Sequence, residues 1–143
     1  MEKSVDPLTR IRAINDQAAF NRWCGMEVVA VEPGSATLAM SWREEVGQYS
    51  RFLHAGVIGA LIDTACGFAA ATLTGRVLAS HYSINFLRPA VGHRFVARAR
   101  VVKPGKSQVF TACELYAVND AGEKLVATGE TLLLVVKGGN DAA

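Results

Sequence analysis

The chain is short of most features that announce a function. It holds three cysteines, Cys24, Cys66 and Cys113. They are odd in number and widely spaced, which argues against a disulfide framework and fits a reducing cytoplasm. Neither charge sign dominates. Fifteen Lys and Arg stand against thirteen Asp and Glu, a formal net charge of +2. Nucleic-acid binding would need a strong basic excess or a clustered stripe, so that class is set aside. No long apolar run is present. The stretches Phe52 to Ile62 and Thr64 to Gly75 are split by Asp63, and neither reaches the roughly 18–20 residues of a membrane span. Met1 to Pro7 lacks the apolar core of a signal peptide. A cytoplasmic protein with neither a membrane nor a nucleic-acid partner is expected.

Catalytic signatures are also missing. There is no G-x-S-x-G elbow. Gly105-Lys106-Ser107 has the ending of a phosphate-binding loop, but the required upstream glycine is Arg100. His54, His81 and His93 stand at no metal-ligand spacing, with each other or with the cysteines. No glycine-rich dinucleotide fingerprint follows a strand. Neither a metal nor a resident cofactor is expected.

What is present is apolar bulk. Half of the 143 residues are hydrophobic, ample for a core and slightly rich for a monomer of this size. One domain over 1–143 is expected, with 1–6 and 138–143 as flexible tails. Pro7, Leu8, Ile11, Ile14 and Ala18 predict a short helix over 7–23, stopped by Gly25. Two strands follow, joined at Glu32-Pro33-Gly34-Ser35. Ala36, Leu38, Met40 and Trp42 alternate with small polar residues, the period of a strand with one buried face. Strands near 78–88, 94–103, 107–118 and 124–136 are separated by turn residues. The order is helix, two strands, long helix, four strands. That is an α+β fold with one long helix on an antiparallel sheet.

The long helix, 55–73, carries the most information. On a helical wheel Val57, Ile58, Leu61, Ile62, Phe68 and Leu73 share one arc. Gly56, Gly59, Ala60, Cys66, Gly67, Ala70 and Ala71 share the other, with Asp63 near its middle. Each glycine inside a helix costs about 1 kcal/mol relative to alanine. Asp63 is either a solvated outer residue or a carboxylate in a cleft or interface. A lone charge among small residues favours the second. Cys66, one turn from Asp63, reads as a buried, inert cysteine. His54 just precedes the helix, as a base or as a structural hydrogen-bonder. Ala55 and Gly56 would offer the first free backbone N–H groups, which favour a developing oxyanion.

Gln48, His54-Ala55-Gly56 and Asp63, spaced by six and nine residues, resemble the signature of the hotdog-fold acyl-CoA thioesterases. Their branch named for phenylacetate degradation, the PaaI-like thioesterases, is the most similar. That signature is Asn or Gln, then His-Gly-Gly, then Asp or Glu on the following helix. Ser83 to Ala90 and Val101 to Ser107 resemble the family's later strands. The likeness spans roughly residues 20–136. Two departures are Ala55 for the first glycine and Gln48 for the commoner Asn. A hydroxyl residue often seen in the strand after the helix falls near Ala79 and Ser80.

The resemblance implies a hotdog fold: a long central helix wrapped by a five- to six-stranded antiparallel sheet, with a short helix at the N-terminus. It implies homo-oligomers, dimers at least and commonly tetramers, with active sites between subunits. The implied reaction is hydrolysis of an acyl- or aryl-acyl-CoA thioester to free acid and coenzyme A, with coenzyme A present only as part of the substrate. Asp63 would be general base or nucleophile, Gln48 would orient water, and the Ala55 and Gly56 amides would hold the oxyanion. His54 would position the loop. Phe86, Arg88, Pro89, Lys103, Gly105, Lys106 and Ser107 would meet the coenzyme A portion. Tyr49, Phe52 and Phe68, with Trp42, would line an acyl pocket. The alternatives are a non-catalytic acyl-CoA binder and a 3-hydroxyacyl-thioester dehydratase. The dehydratase pattern places a His about fourteen residues before the acid, where this chain has Tyr49.

Overall fold

The computed structural model describes residues 4–137; residues 1–3 of the expected N-terminal tail and all of the expected C-terminal tail, 138–143, lie outside them. The chain opens with α1 (Pro7–Gln17) and α2 (Ala19–Cys24). Asp6 is no loose tail residue: its carboxylate caps α1 by accepting the Thr9 N–H at 3.1 Å. The single helix expected over 7–23 is broken at Ala18, whose backbone is extended (φ −87°, ψ 112°). The break serves two buried amides. Asn15 Nδ2 donates to the Met26 carbonyl at 2.8 Å. Asn21 Nδ2 donates to Asn15 Oδ1 at 3.0 Å. A continuous helix would place Asn15 and Asn21 on different faces, about 120° apart, and break the bond between them.

Strands β1 (Glu27–Glu32) and β2 (Ser35–Ser41) form a hairpin. The long helix α3 (Ala55–Thr74) follows, then β3 (Val77–Phe86), β4 (Arg94–Lys103), β5 (Gln108–Asn119) and β6 (Gly122–Val135). All six strands make one antiparallel sheet in the order β1-β2-β4-β5-β6-β3. The long helix packs on the inner face. This is the expected α+β hotdog arrangement.

Small residues let the helix lie close. One row across the sheet reads Ala36, Ala99, Cys113, Gly129, Ile84. A Cβ placed on Gly129 would stand 2.8 Å from a methyl of Ile62 on α3 and 2.9 Å from Ile84. Leu61, Ile62, Ala65, Cys66, Ala69 and Ala70 of α3 are fully buried. The wheel assigned Cys66, Gly59 and Ala70 to the uncovered arc. The curved sheet covers more than half of the helix and buries them too, while Leu73 at the helix end is 46% exposed. The stripe left partly open is narrow: Gly56, Ala60, Asp63, Thr64 and Gly67. By length and hydropathy α3 could cross a membrane, which the split apolar stretches did not suggest. Here that greasiness is matched by the sheet.

The Gly129 contact makes a stability prediction. Gly129→Val should cost about 1–3 kcal/mol through overpacking against Ile62 and Ile84, read as a lower urea midpoint. An unchanged midpoint would show that the helix is not held at this row.

Candidate active site

The segment before α3 is held in an unusual shape. Gly47 pairs with Leu53 across a narrow loop, and the Gln48 N–H donates to the Phe52 carbonyl at 2.7 Å. Within it Ser50 and Arg51 both adopt left-handed backbone (φ 58° and 62°). Each such non-glycine residue is strained by roughly 1–3 kcal/mol and persists only where the surroundings enforce it. The Trp42 ring supplies part of that enforcement. It packs directly on Gly47, leaving no room there for a Cβ, and the Arg51 guanidinium lies 5.8 Å from its centre. Trp42 therefore supports the loop. The loop presents Gln48 and Tyr49 to solvent, Tyr49 at 87% exposure.

His54 is the N-cap of α3. Its Nδ1 accepts the Gly56 N–H at 2.8 Å, so Nδ1 carries no proton and the neutral ring holds it on Nε2. The His54 carbonyl accepts from Val57 and Ile58 at 2.9 and 3.0 Å. The first-turn N–H groups can then be accounted for one by one. Gly56, Val57 and Ile58 are engaged. Ala55 alone has no acceptor among the described residues. The expectation of two free amides is thus corrected to one, because His54 takes the Gly56 N–H. Ala55 occupies the first position of the helix, where the helix dipole adds positive character.

Asp63 lies eight residues further along, about 12 Å at the helical rise. It is half-buried, and burial pushes its carboxyl above the usual carboxylate range. It lines a groove of about 660 Å³ between α1, α3 and the start of β3. Phe68 and Thr64 share the α3 wall, and Ile14 and Gln17 form the α1 wall. Ala79 is also in the lining, whereas the Ser80 hydroxyl donates to the Leu132 carbonyl at 3.2 Å. Of the four expected acyl-pocket residues, Phe68 reaches this groove, and Trp42 instead supports the loop before α3. Tyr49 and Phe52 do not line the groove. Nor do Gln48, His54, Ala55 and Gly56, which sit at the helix start.

The expected coenzyme A residues fall in two groups. Phe86 ends β3, and Arg88 and Pro89 follow it beside the helix start, where the Leu53 N–H donates to the Ala90 carbonyl at 3.0 Å. Lys103, Gly105, Lys106 and Ser107 form the β4–β5 turn at the opposite end of the sheet. Gly105 is required by the turn itself, since a Cβ there would strike the Gln108 carbonyl. Lys103 borders a second cavity, about 490 Å³, on the outer sheet face with Phe110 and His81. One chain does not bring the two groups together. No cluster of three or more His, Cys, Asp or Glu suited to a metal occurs among the described residues. Ile14 was missed as a site residue because its apolar spacing reads as core, yet it is 40% exposed toward the groove.

This architecture, a helix sheathed by a six-stranded sheet, has counterparts among known proteins. The thioesterase superfamily pattern matches residues 51–124. A thioesterase family protein of Silicibacter pomeroyi superposes with a TM-score of 0.89 at 32% identity, over 93% of this chain and 100% of that one. Human acyl-coenzyme A thioesterase 13 is 32% identical over 123 residues, 83% of this chain and 86% of its own length. The PaaI protein of the E. coli phenylacetic acid degradation operon shares the fold, with a TM-score of 0.83 at 24% identity over 92% and 94% of the chains. The chain belongs to the thioesterase superfamily.

The raised Asp63 carboxyl has a thermodynamic signature. A folded-state value above the unfolded one means that the native state binds more protons in that window. Stability then falls as pH rises through it. Asp63→Asn removes the cost. The variant should melt higher than the parent above the window, and the gap should close as pH is lowered. A variant less stable at neutral pH would mark Asp63 as structural.

Proposed function

We propose that the protein is an acyl-CoA thioesterase whose active site is completed by a second copy of the chain. One observation carries this reading. A desolvated carboxylate, Asp63, and a single unengaged helix-start amide, Ala55, lie on the same helix about 12 Å apart. A carbonyl oxygen bound at Ala55 sits beyond the helix end, because helix N–H groups point that way. That oxygen is roughly 15 Å from the Asp63 backbone, whereas reacting atoms must approach within about 3–3.5 Å. The two groups therefore serve different sites, each paired with its opposite number from a partner chain.

The sheet offers the means of pairing. β3 is a ten-residue edge strand, with Leu78, Tyr82 and Phe86 each about half exposed. An unpaired edge of that length is a template for another strand. Antiparallel β3–β3 pairing about a two-fold axis makes one continuous twelve-stranded sheet. It brings the partner's helix start to the end of the sheet where the groove runs. The same operation brings Phe86, Arg88 and Pro89 to the end that holds Lys103 and Lys106. Those cations can then meet the phosphates of one coenzyme A.

Chemically, a thioester needs water, a base and an oxyanion site. Asp63 takes a proton from water, whose oxygen attacks the thioester carbon. The Ala55 amide of the other chain holds the oxyanion. The tetrahedral intermediate collapses, the C–S bond breaks, and the thiolate takes the proton from the Asp63 carboxyl. Gln48 orients the water, and His54 Nε2–H faces the leaving sulfur. A direct nucleophilic role for Asp63 satisfies the same geometry. No metal or resident cofactor is needed. The three free, buried cysteines fit the reducing cytoplasm in which we place the reaction.

The test is thiol release from a panel of benzoyl-, phenylacetyl-, octanoyl- and hexadecanoyl-CoA. Asp63→Ala should lower kcat about 10²–10⁴-fold. Ala55→Pro should lower it about 10²–10³-fold, because proline deletes the N–H yet suits the first helical position. Gln48→Ala should cost less than either. Coenzyme A binding with no thiol release from any substrate would instead favour the non-catalytic binder, and turnover unchanged in Asp63→Ala would remove its catalytic role.

A further inference from the structure

The groove that begins at Asp63 has a direction and a length. It follows α3 toward the C-terminal end, past Gly67 to Ala71 and Gly75, with Ile14 of α1 opposite. The Arg10 guanidinium donates to the Ala71 carbonyl at 3.1 Å, joining the two walls. From Asp63 to that crossing is about 12 Å at the helical rise. Gly67 lies midway. A Cβ added there meets nothing within 4 Å, so the glycine is not demanded by helix–sheet packing. It lies within a mainly helix-favouring run, where alanine would serve the helix better. The space above it belongs to the groove.

We propose that this groove holds the acyl chain of the substrate, entered at the Asp63 end, and that Gly67 keeps it open. The inference rests on the thioesterase reading and specifies its substrate class: linear acyl chains of medium length. An extended chain advances about 1.2 Å per bond, a third of the roughly 3.6 Å that the three bonds of a peptide residue span. The 12 Å from Asp63 to the Arg10–Ala71 crossing thus takes on the order of ten carbons. A single aryl ring would span only part of that course, from Asp63 past Gly67 to Ala71. The lining suits an alkyl chain, with Ile14, Phe68 and Ala71 along its course. The Asp63 carboxylate lies at the mouth, where the thioester must react.

The experiment uses S-butyl-, S-octyl- and S-dodecyl-CoA thioethers, which cannot be hydrolysed, with affinity measured by calorimetry on the full chain. Thiol release from the matching thioesters is measured in parallel. In the parent protein affinity should rise about threefold to fourfold per methylene up to octyl and little beyond roughly ten carbons. Gly67→Leu, which fills the groove from α3, should lower the octyl-to-butyl affinity ratio at least about tenfold. Ile14→Trp, which fills it from α1, should do the same independently, and thermal melts confirm that both variants fold. A ratio unchanged in both folded variants overturns the groove assignment, even where hydrolysis is observed. Affinity that ignores chain length in the parent overturns it too. Chain-length-dependent binding that responds to Gly67, without hydrolysis of any thioester, upholds the groove and removes the enzymatic reading.

Discussion

The burial of one apolar helix in a curved sheet is the constraint on which the rest depends. A helix as greasy as α3 is stable in water only if most of its circumference is covered. The row Ala36, Ala99, Cys113, Gly129 gives the sheet a surface small enough to curve around it. Coverage is deliberately incomplete. One stripe, from Gly56 through Ala60 and Asp63 to Gly67, faces away from the strands. The proposed reactive groups lie on that stripe and at the helix start, because the sheet seals most of the rest of α3 before its last turn.

The same geometry separates the proposed reactive groups. A helix rises only 1.5 Å per residue, so eight residues place Asp63 and Ala55 too far apart to share a carbonyl. A single chain therefore carries two halves that do not meet. The open edge of β3, whose other side pairs with β6 and which carries the exposed Leu78, Tyr82 and Phe86, is where the proposed second chain docks. On the proposed pairing, apolar excess, an open edge and the separation of the proposed catalytic groups share one explanation. The cations proposed to meet coenzyme A are divided between the two ends of the sheet, and the same proposed pairing would bring them together.

Much of this was legible in the sequence. The helix expected at 55–73 is found at Ala55–Thr74, and the four later strands lie within about two residues of their expected bounds. Apolar periodicity and Gly or Pro turns are local signals, so they survive without the fold. The isolated Asp63 among small residues was conspicuous for a physical reason: nothing else on that arc needs water. What was hidden depended on tertiary contacts. The break at Ala18 lets Asn21 bond Asn15, which in turn bonds the Met26 carbonyl just before β1. The coverage of Cys66 and Ala70 depends on sheet curvature. The loss of the Gly56 amide depends on the His54 rotamer. None of these leaves a periodic trace.

The central claim is that the catalytic groups of each site come from two chains, and mixed oligomers test it most directly. Asp63→Ala and Ala55→Pro chains, each inactive alone, would be co-expressed with different affinity tags and the mixed species purified. A shared site predicts recovery of a large fraction of parental acyl-CoA hydrolysis. One of the two sites in each mixed dimer would then join an intact Asp63 to an intact Ala55 amide. Mixed oligomers as inactive as either parent variant would show that both groups act within one chain, and the account would fail.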